Sequence, residues 1–186
     1  MADFFDLSST VAEKAKSPLA NFLVPGKYPA FDGATNVKLS ELAGQTICEV
    51  AAWPDGVEAV RALLPSEGTV FEFAPARWVI VCADVKPTKK LALGVGDHGS
   101  FVDLSHGRCV LRVKGKKSAW VLSKLFAIDF AAMDIKTGVA TTHHGITAQI
   151  WRDDSSTFDL VIFRSFAASF WHTLTKACAD VGYEAV

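Results

Sequence analysis

The sequence lacks a charge imbalance and a long apolar run, and its opening residues predict no secretory signal peptide. Lysine and arginine together number 19 against 20 aspartates and glutamates, for a net charge of −1. A chain so balanced offers no electrostatic basis for binding nucleic acid or an anionic membrane. No stretch approaches the ~18–20 apolar residues of a membrane span. The opening residues, MADFFDLSST, carry acids and precede no apolar segment of signal-peptide type. We therefore expect a cytoplasmic protein with neither membrane nor nucleic-acid partners.

Closely spaced cysteines are also missing. Cys48, Cys82, Cys109 and Cys178 are scattered, with no C-x-x-C pair. Structural zinc sites use much closer spacing. This pattern predicts four free thiols and no metal site.

Apolar and aromatic residues are plentiful. Half of the 186 residues are hydrophobic, and 13 are Phe and 5 Trp. A chain of this length buries enough apolar surface to form one domain or two small lobes. The aromatic content also makes a partner surface a reasonable expectation.

Residues 1–45 show little periodicity and many turn signals, including Pro25-Gly26 and Asp32-Gly33. They nevertheless contain several aromatic residues, which a disordered tail would lack. We predict an irregular N-terminal arm that lies over a surface, either of its own domain or of another subunit. Its candidate interface residues are Phe22, Tyr28 and Phe31.

Regular periodicity begins at Thr46. Residues 46–53 alternate as a strand, and residues 57–64 carry apolar positions on one helical face. Asp55 and Glu58 have the spacing of a capping box, and Pro65 ends the helix. Two further strands are predicted at 69–73 and 77–83. The order is β-α-β-β.

A second run follows. Strands are predicted at 100–104 and 108–113, then a helix from Gly115 to Leu125, and then strands at 145–151 and 157–163. Ser165 is placed to cap a last helix with an apolar stripe, and Gly182 to occupy its C′ position. The order predicts an α+β fold of two ferredoxin-like split β-α-β units with antiparallel sheets. We place this domain at 46–186, with its units at about 46–95 and 96–186.

The stretch TTHHGITAQIWR, residues 141–152, places His143 beside His144. Paired histidines raise the possibility of a metal site or a catalytic base. Adjacent residues on a strand point to opposite faces, so the two side chains are poorly placed to share a metal. A histidine at a turn or a subunit contact is the favoured interpretation.

Other stretches that match functional motifs lack the neighbouring residues or the secondary structure that those motifs require. Residues 94–99, GVGDHG, match G-x-G-x-x-G by letters, but a dinucleotide-binding loop follows a strand and opens a helix, whereas here a strand follows. Ser105 and His106 lie outside any G-x-S-x-G elbow. Cys109 sits in a predicted strand and is expected to pack in the core. We therefore predict no catalytic, cofactor-binding or metal-binding residues on this chain.

Three stretches resemble known families. Residues 103–125 and 128–142 resemble segments of the aminomethyltransferase (glycine cleavage T-protein) superfamily, which binds folate. Residues 157–171, TFDLVIFRSFAASFW, are similar to a segment of the gamma subunit of heterotetrameric sarcosine oxidase. The resemblance extends over about residues 45–182. The positions that carry it are Asp103, Ser105, Val113, Gly115, Ala119 and Leu122, then Phe158, Leu160, Arg164, Ser165, Phe166, Ala167, Ser169 and Trp171.

The resemblance implies a function. Such complexes oxidatively demethylate an N-methyl amine and pass the one-carbon unit to tetrahydrofolate. It implies FAD, FMN, NAD, tetrahydrofolate and zinc on the alpha, beta and delta subunits, and a gamma subunit without cofactor that contacts mainly alpha. We therefore expect a non-catalytic gamma-type subunit. The alternatives are an independent folate-binding T-protein-like protein, the small subunit of an N-methylglutamate-type dehydrogenase complex, and a solitary α+β domain of other function.

Two residues of the resembling stretches keep two possible roles each. Asp103 is either a candidate folate-binding carboxylate or the cap of the turn that enters Ser105-His106-Gly107. Arg164 either forms a bidentate salt bridge across a subunit interface or holds its local turn. It joins Phe22, Tyr28 and Phe31 among the candidate interface residues.

Overall fold

A computed structural model describes residues 16–186 of the chain. Within this range the chain forms eleven strands and four α-helices, and short 3₁₀ turns precede β6 and α4. In chain order the elements are β1 (Gly26–Tyr28), β2 (Val37–Glu41), β3 (Thr46–Ala52), α1 (Val57–Leu63), β4 (Thr69–Ala74), β5 (Arg77–Cys82), α2 (Lys86–Val95), β6 (Gly99–Asp103), β7 (Arg108–Lys114), α3 (Ser118–Ser123), β8 (Gly138–His143), β9 (Ile146–Arg152), β10 (Thr157–Phe163), α4 (Ala167–Cys178) and β11 (Tyr183–Ala185). None of the helices in the described range is long and apolar enough to cross a bilayer.

The first unit is a four-stranded antiparallel sheet in the order β4-β5-β3-β6. Its chain order, β3-α1-β4-β5-α2-β6, is the full ferredoxin-like β-α-β-β-α-β arrangement. One face of the sheet packs against Val60 of α1 and against Leu91 and Val95 of α2. The helices therefore cover one side of this sheet.

Helix α2 is absent from the sequence prediction, and its presence changes the assignment of β6. Pro87 lies in the first turn, where a helix tolerates proline, and Thr88, Leu91 and Val95 are its buried residues. The prediction that the strand near residue 100 opens the second unit is wrong, because β6 pairs with β3 and closes the first unit.

The second unit is a seven-stranded sheet in the order β1-β11-β2-β7-β10-β9-β8. All pairs are antiparallel except β11 with β2. Strand β10 lies between β7 and β9, which gives the second split β-α-β unit. Helices α3 and α4 cover one face, where Val121, Leu122, Phe170 and Leu174 join the largest apolar cluster.

The two sheets face each other. Ile47, Phe71 and Val79 of the four-stranded sheet pack with Val110, Trp151 and Val161 of the seven-stranded sheet. The layers therefore run helices, sheet, sheet, helices. The predicted α+β class with two ferredoxin-like units is confirmed.

The predicted arm is regular over part of its described length. Strand β2 lies between β11 and β7 inside the larger sheet, and Val37 and Leu39 are buried there. Leu19 is fully buried in the same core. The prediction of irregular structure is thus wrong for β1 and β2, whose partners lie far along the chain and are invisible to local periodicity. Residues 1–15 lie outside the described range, and the division at residue 45 stays a prediction.

The predicted helix caps differ in detail. Helix α1 begins after Gly56 rather than after Asp55, and no side chain caps it. At α4 the residues Arg164–Phe166 form a 3₁₀ turn, so Phe166 takes the position predicted for Ser165, again without a side-chain cap. Both predicted caps are therefore wrong.

Two glycine predictions are also corrected. The helix expected from Gly115 to Leu125 is the shorter α3, whose N-cap is Lys117. Gly182 has φ of +70°, but it lies three residues beyond Ala179, the C-cap of α4. Its positive φ serves the turn into β11 rather than the end of the helix.

Candidate functional site

The two adjacent histidines sit at a hairpin turn. His143 ends β8 and pairs with Ile146 of β9. His144 and Gly145 form the loop between them, with φ of +47° and +81°. Positive φ at both loop residues is the geometry of a type I′ hairpin turn. The predicted turn is confirmed.

The predicted separation of the two side chains is wrong. Their ring centroids lie 4.3 Å apart, because His144 leaves the extended conformation that would point it to the opposite face. His143 Nδ1 lies 2.6 Å from the carbonyl oxygen of Leu125, and its ring packs edge-on against Phe126. Among residues 16–186, no group of three His, Cys, Asp or Glu side chains is placed to hold a metal ion.

The stretch GVGDHG has the element order opposite to that of a nucleotide-binding loop. Gly94 and Val95 end α2, Gly96–His98 form the 3₁₀ turn, and Gly99 begins β6. The motif therefore follows a helix and enters a strand. The prediction that a strand follows it is confirmed.

Asp103 caps the turn between β6 and β7. Its Oδ1 accepts hydrogen bonds from the Ser105 amide at 2.8 Å and the Ser105 hydroxyl at 2.6 Å. Ser105 Oγ in turn accepts a hydrogen bond from the Ile47 amide at 3.0 Å. Of the two roles proposed for Asp103, the structure shows the capping one.

The four cysteines are buried free thiols, as predicted. Burial raises the pKa of Cys48, Cys109 and Cys178 to about 12 in each case. Thiolates are the reactive form, so such thiols are poor nucleophiles near neutral pH. Cys109 packs in the core, as its strand position predicts.

Two of the four candidate interface residues lie together. Phe22 and Tyr28 line a groove of about 210 Å³ beside α4, which we call the α4 groove. Phe22 is 55% exposed and Tyr28 is 38% exposed. The groove is also lined by Val24, Ala168, Trp171, His172, Thr175, Tyr183 and Ala185.

Strand pairing positions Tyr28. Tyr28 of β1 is the register partner of Tyr183 of β11, and the two rings stack with centroids 4.7 Å apart and planes 15° apart. The Tyr28 hydroxyl donates a hydrogen bond to the Val24 carbonyl at 3.1 Å. Burial, followed by the neighbouring Tyr28, raises the pKa of Tyr183. One wall of the groove is therefore a fixed aromatic pair.

Phe31 and Arg164 lie outside this groove. Phe31 is fully exposed, on a turn in which Asp32 Oδ1 accepts a hydrogen bond from the Ala34 amide at 2.9 Å. Arg164 precedes α4, and its guanidinium donates to the backbone carbonyl of Lys16. Arg164 therefore holds the first described residue of its own chain beside the start of α4.

Sequence reasoning missed a second exposed aromatic pair. Phe163 and Phe166 are 38% and 42% exposed and pack edge to face, 6.5 Å apart. The guanidinium of Arg108 lies 3.5 Å from the Phe163 ring centroid. The sequence did carry a signal for this pair, because Phe166 does not share the helical face on which Ala167, Phe170 and Trp171 are buried.

The chain was compared with known proteins. The model of the family described as "Sarcosine oxidase, gamma subunit family" matches residues 55–180. No curated protein sequence matches the chain.

Solved structures share the fold. A chain of the heterotetrameric sarcosine oxidase from Corynebacterium sp. U-96, solved with pyrrole 2-carboxylate, superposes with a TM-score of 0.75 at 22% identity. The match covers 90% of this chain and 96% of that one. The glycine cleavage system aminomethyltransferase T from Bartonella henselae gives a TM-score of 0.58 at 16% identity, over 76% of this chain and 46% of that one. Since the family model spans more than half of the sequence, the chain belongs to the sarcosine oxidase gamma subunit family.

Proposed function

We propose that this chain is the gamma-type subunit of a heterotetrameric sarcosine oxidase-like complex, in which it organises the assembly and does not carry the reacting groups. The observation that carries the proposal is the family match over residues 55–180. The fold shared with nearly the full length of one chain of such an oxidase supports it.

The partners and cofactors belong to the same proposal. The complex oxidatively demethylates an N-methyl amine and transfers the one-carbon unit to tetrahydrofolate. FAD, FMN, NAD, tetrahydrofolate and zinc reside on alpha, beta and delta subunits in the cytoplasm, and this chain contacts mainly alpha. The burial of all four cysteines bears only on cysteine chemistry, for which such thiols are poor nucleophiles.

The docking surface that we propose runs along α4. Phe22 and Tyr28 place exposed aromatic surface along the α4 groove, which the buried Trp171 also lines. Aromatic anchors that fill a partner's pocket contribute much of the binding energy at protein interfaces. Arg164 lies in the turn just before the first residue of α4, and Phe31 lies on the turn after β1. Both extend the proposed contact.

Co-purification tests the proposal. The chain is co-expressed with the alpha, beta and delta subunits from its own source, with an affinity tag on alpha. The Phe22→Ser/Tyr28→Ser double variant removes two exposed rings from the groove. We expect at least tenfold less of this variant on tagged alpha, with a corresponding loss of fully assembled, sarcosine-oxidising complex.

A matched control is available on the opposite outer layer. Leu93 of α2 is 87% exposed, so Leu93→Ser removes a similar apolar side chain away from the groove. It should leave recovery on alpha unchanged. Failure of the unaltered chain to co-purify with any of the three subunits would overturn the proposed function. Normal recovery of the double variant would overturn only the docking surface.

A further inference from the structure

A second cleft lies at the edge where the two sheets meet. It has a volume of about 270 Å³ and is bounded by the loop after β2, the Asp103–His106 turn, the start of β7 and α2. Its charged lining residues are Lys16, Lys89, Arg108, Arg164, Glu41 and Asp103. Four cations therefore face two carboxylates.

Both carboxylates already have partners other than these cations. Asp103 holds the amide and the hydroxyl of Ser105, and Glu41 accepts a hydrogen bond from the Ser17 hydroxyl. The ion pairs formed among the described residues involve none of the four cleft cations. The cleft thus has two more cations than carboxylates, and none of its cations is held in an ion pair within the described part of the chain.

Arg108 is the most informative of these cations. Its guanidinium stacks on Phe163, and burial lowers its pKa although Glu49 opposes the shift. Within residues 16–186 its side chain donates no hydrogen bond. A guanidinium carries five N–H donors in a planar fork that matches carboxylate and phosphate oxygens. Stacking on Phe163 fixes the plane of the Arg108 guanidinium and leaves the N–H groups at its edge available to bind a ligand.

Arg164 adds a second guanidinium to the same cleft. One of its terminal nitrogens donates to the Lys16 carbonyl, which anchors the side chain. Its charge also acts on Cys109, another lining residue, where it opposes the rise in pKa that burial causes. Lys89 reaches the cleft from α2.

We propose that this cleft binds a small oxyanion, through a carboxylate or phosphate group held by Arg108 and Arg164 with Lys89 in support. The volume of about 270 Å³ favours a small molecule, since it lies just below the ~300–1,000 Å³ that is usual for ligand sites. Charge-assisted bidentate bonds to guanidinium groups supply both affinity and orientation. The cleft shares no lining residue with the α4 groove, although Arg164 also belongs to the proposed docking contact.

Calorimetric titration of the full chain in its native assembly tests the site, with inorganic phosphate and succinate as separate probes at low ionic strength. We expect saturable binding of at least one probe. Binding of succinate but not phosphate would identify a carboxylate ligand, and binding of phosphate but not succinate would identify a phosphate ligand. Arg108→Met should weaken binding at least tenfold, and Lys89→Gln by a few fold.

Arg61→Met is the matched control, because Arg61 also stacks on an aromatic ring, that of Trp78, but lies outside the cleft. It should change affinity less than twofold. If Arg108→Met fails to fold, Arg108→Lys keeps the charge, loses the fork and should still weaken binding several fold. Binding of neither probe, unchanged binding after loss of the Arg108 fork, or equal loss in the Arg61 control would overturn the proposal. None of these results bears on co-purification with alpha.

Discussion

Arg112 of β7 and Asp159 of β10 form a bidentate ion pair on the face of the larger sheet that is turned toward the smaller one. Arg112 Nε lies 2.7 Å from Asp159 Oδ1, and Nη2 lies 2.8 Å from Oδ2. The two are register partners on neighbouring strands. The Asp159 side chain is only 7% exposed, whereas that of Arg112 is 34% exposed. The buried Asp159 carboxylate therefore needs Arg112 to compensate its charge, whereas the more exposed Arg112 guanidinium also contacts solvent.

This asymmetry predicts unequal effects of substitution. Arg112→Met leaves a buried carboxylate without its partner and should lower the free energy of unfolding by about 3 kcal/mol. The Arg112→Met/Asp159→Leu double variant removes both charges and should recover most of that loss. Urea denaturation of the purified chain measures both. If the double variant were no more stable than Arg112→Met, the pair would not explain the loss.

Much of the fold follows from local sequence. Alternation locates the strands at 46–53, 69–73, 77–83, 108–113, 145–151 and 157–163, and their order with the intervening helices predicts the ferredoxin-like units. For each of these strands the local periodicity agrees with its place in the observed order of elements, so the local and the global signals point to the same fold. The agreement explains why the class is predictable.

The remainder depends on partners that are distant in sequence. Strand β2 shows only a short alternation of apolar and polar residues. It pairs with β7 and β11, which lie too far along the chain for a local stretch of sequence to include them. At the candidate docking surface, aromatic content indicates Phe22 and Tyr28, but only the pairing of β1 with β11 places Tyr28 against Tyr183. The contact of the His143 and His144 rings likewise depends on the positive φ of His144, which the letters alone do not reveal.

The turn at His144 offers a test of backbone strain. His144 has φ of +47°, a region that asparagine tolerates better than most residues and β-branched residues avoid. His144→Asn should leave the free energy of unfolding unchanged or slightly higher. His144→Val should lower it by roughly 1–2 kcal/mol, since the left-handed conformation is costly for residues with a Cβ. Thermal unfolding followed by circular dichroism distinguishes the two, and equal stability of both variants would contradict the assigned turn.

The same hairpin separates a structural role from a catalytic one. In the assembled complex, the His143→Asn/His144→Asn double variant should retain nearly full turnover, although His143→Asn loses packing against Phe126. Turnover per assembled complex is the relevant measurement. Loss of turnover in a complex that assembles normally would restore the catalytic interpretation of the pair.

Gly138 marks a close approach between the two sheets. A Cβ at this position would lie 2.1 Å from Cδ2 of Phe71, whose ring is buried and packs 5.7 Å from that of Trp151. Gly138→Ala should therefore cost about 1–3 kcal/mol through overpacking. Gly107→Ala is the control, since its Cβ would meet nothing closer than 3.7 Å.

A compensating change identifies the clash. Phe71→Ala removes the three ring atoms that the new methyl group would meet, so the Gly138→Ala/Phe71→Ala double variant should lose less stability than the sum of the two single variants. Denaturation midpoints of the four proteins complete the cycle. Simple additivity would show that Gly138 does not act through Phe71.

The buried thiols predict the behaviour of the chain in alkaline solution. Burial raises the pKa of Cys48, Cys109 and Cys178 from 9.0 to about 12, so the folded state retains thiol protons that the unfolded state releases above pH 9. Their contribution to stability is complete below pH 9 and is lost as pH rises toward 12. Each thiol contributes a slope of about −1.4 kcal/mol per pH unit in that window. In urea denaturation, the free energy of unfolding of Cys109→Ala should fall less steeply with pH than that of the unaltered chain, by the slope that one thiol contributes.

At pH 8 a thiol reagent should leave the folded chain unmodified and label four cysteines after denaturation. Rapid labelling of the folded chain, or identical alkaline slopes in the two proteins, would contradict the burial of these thiols.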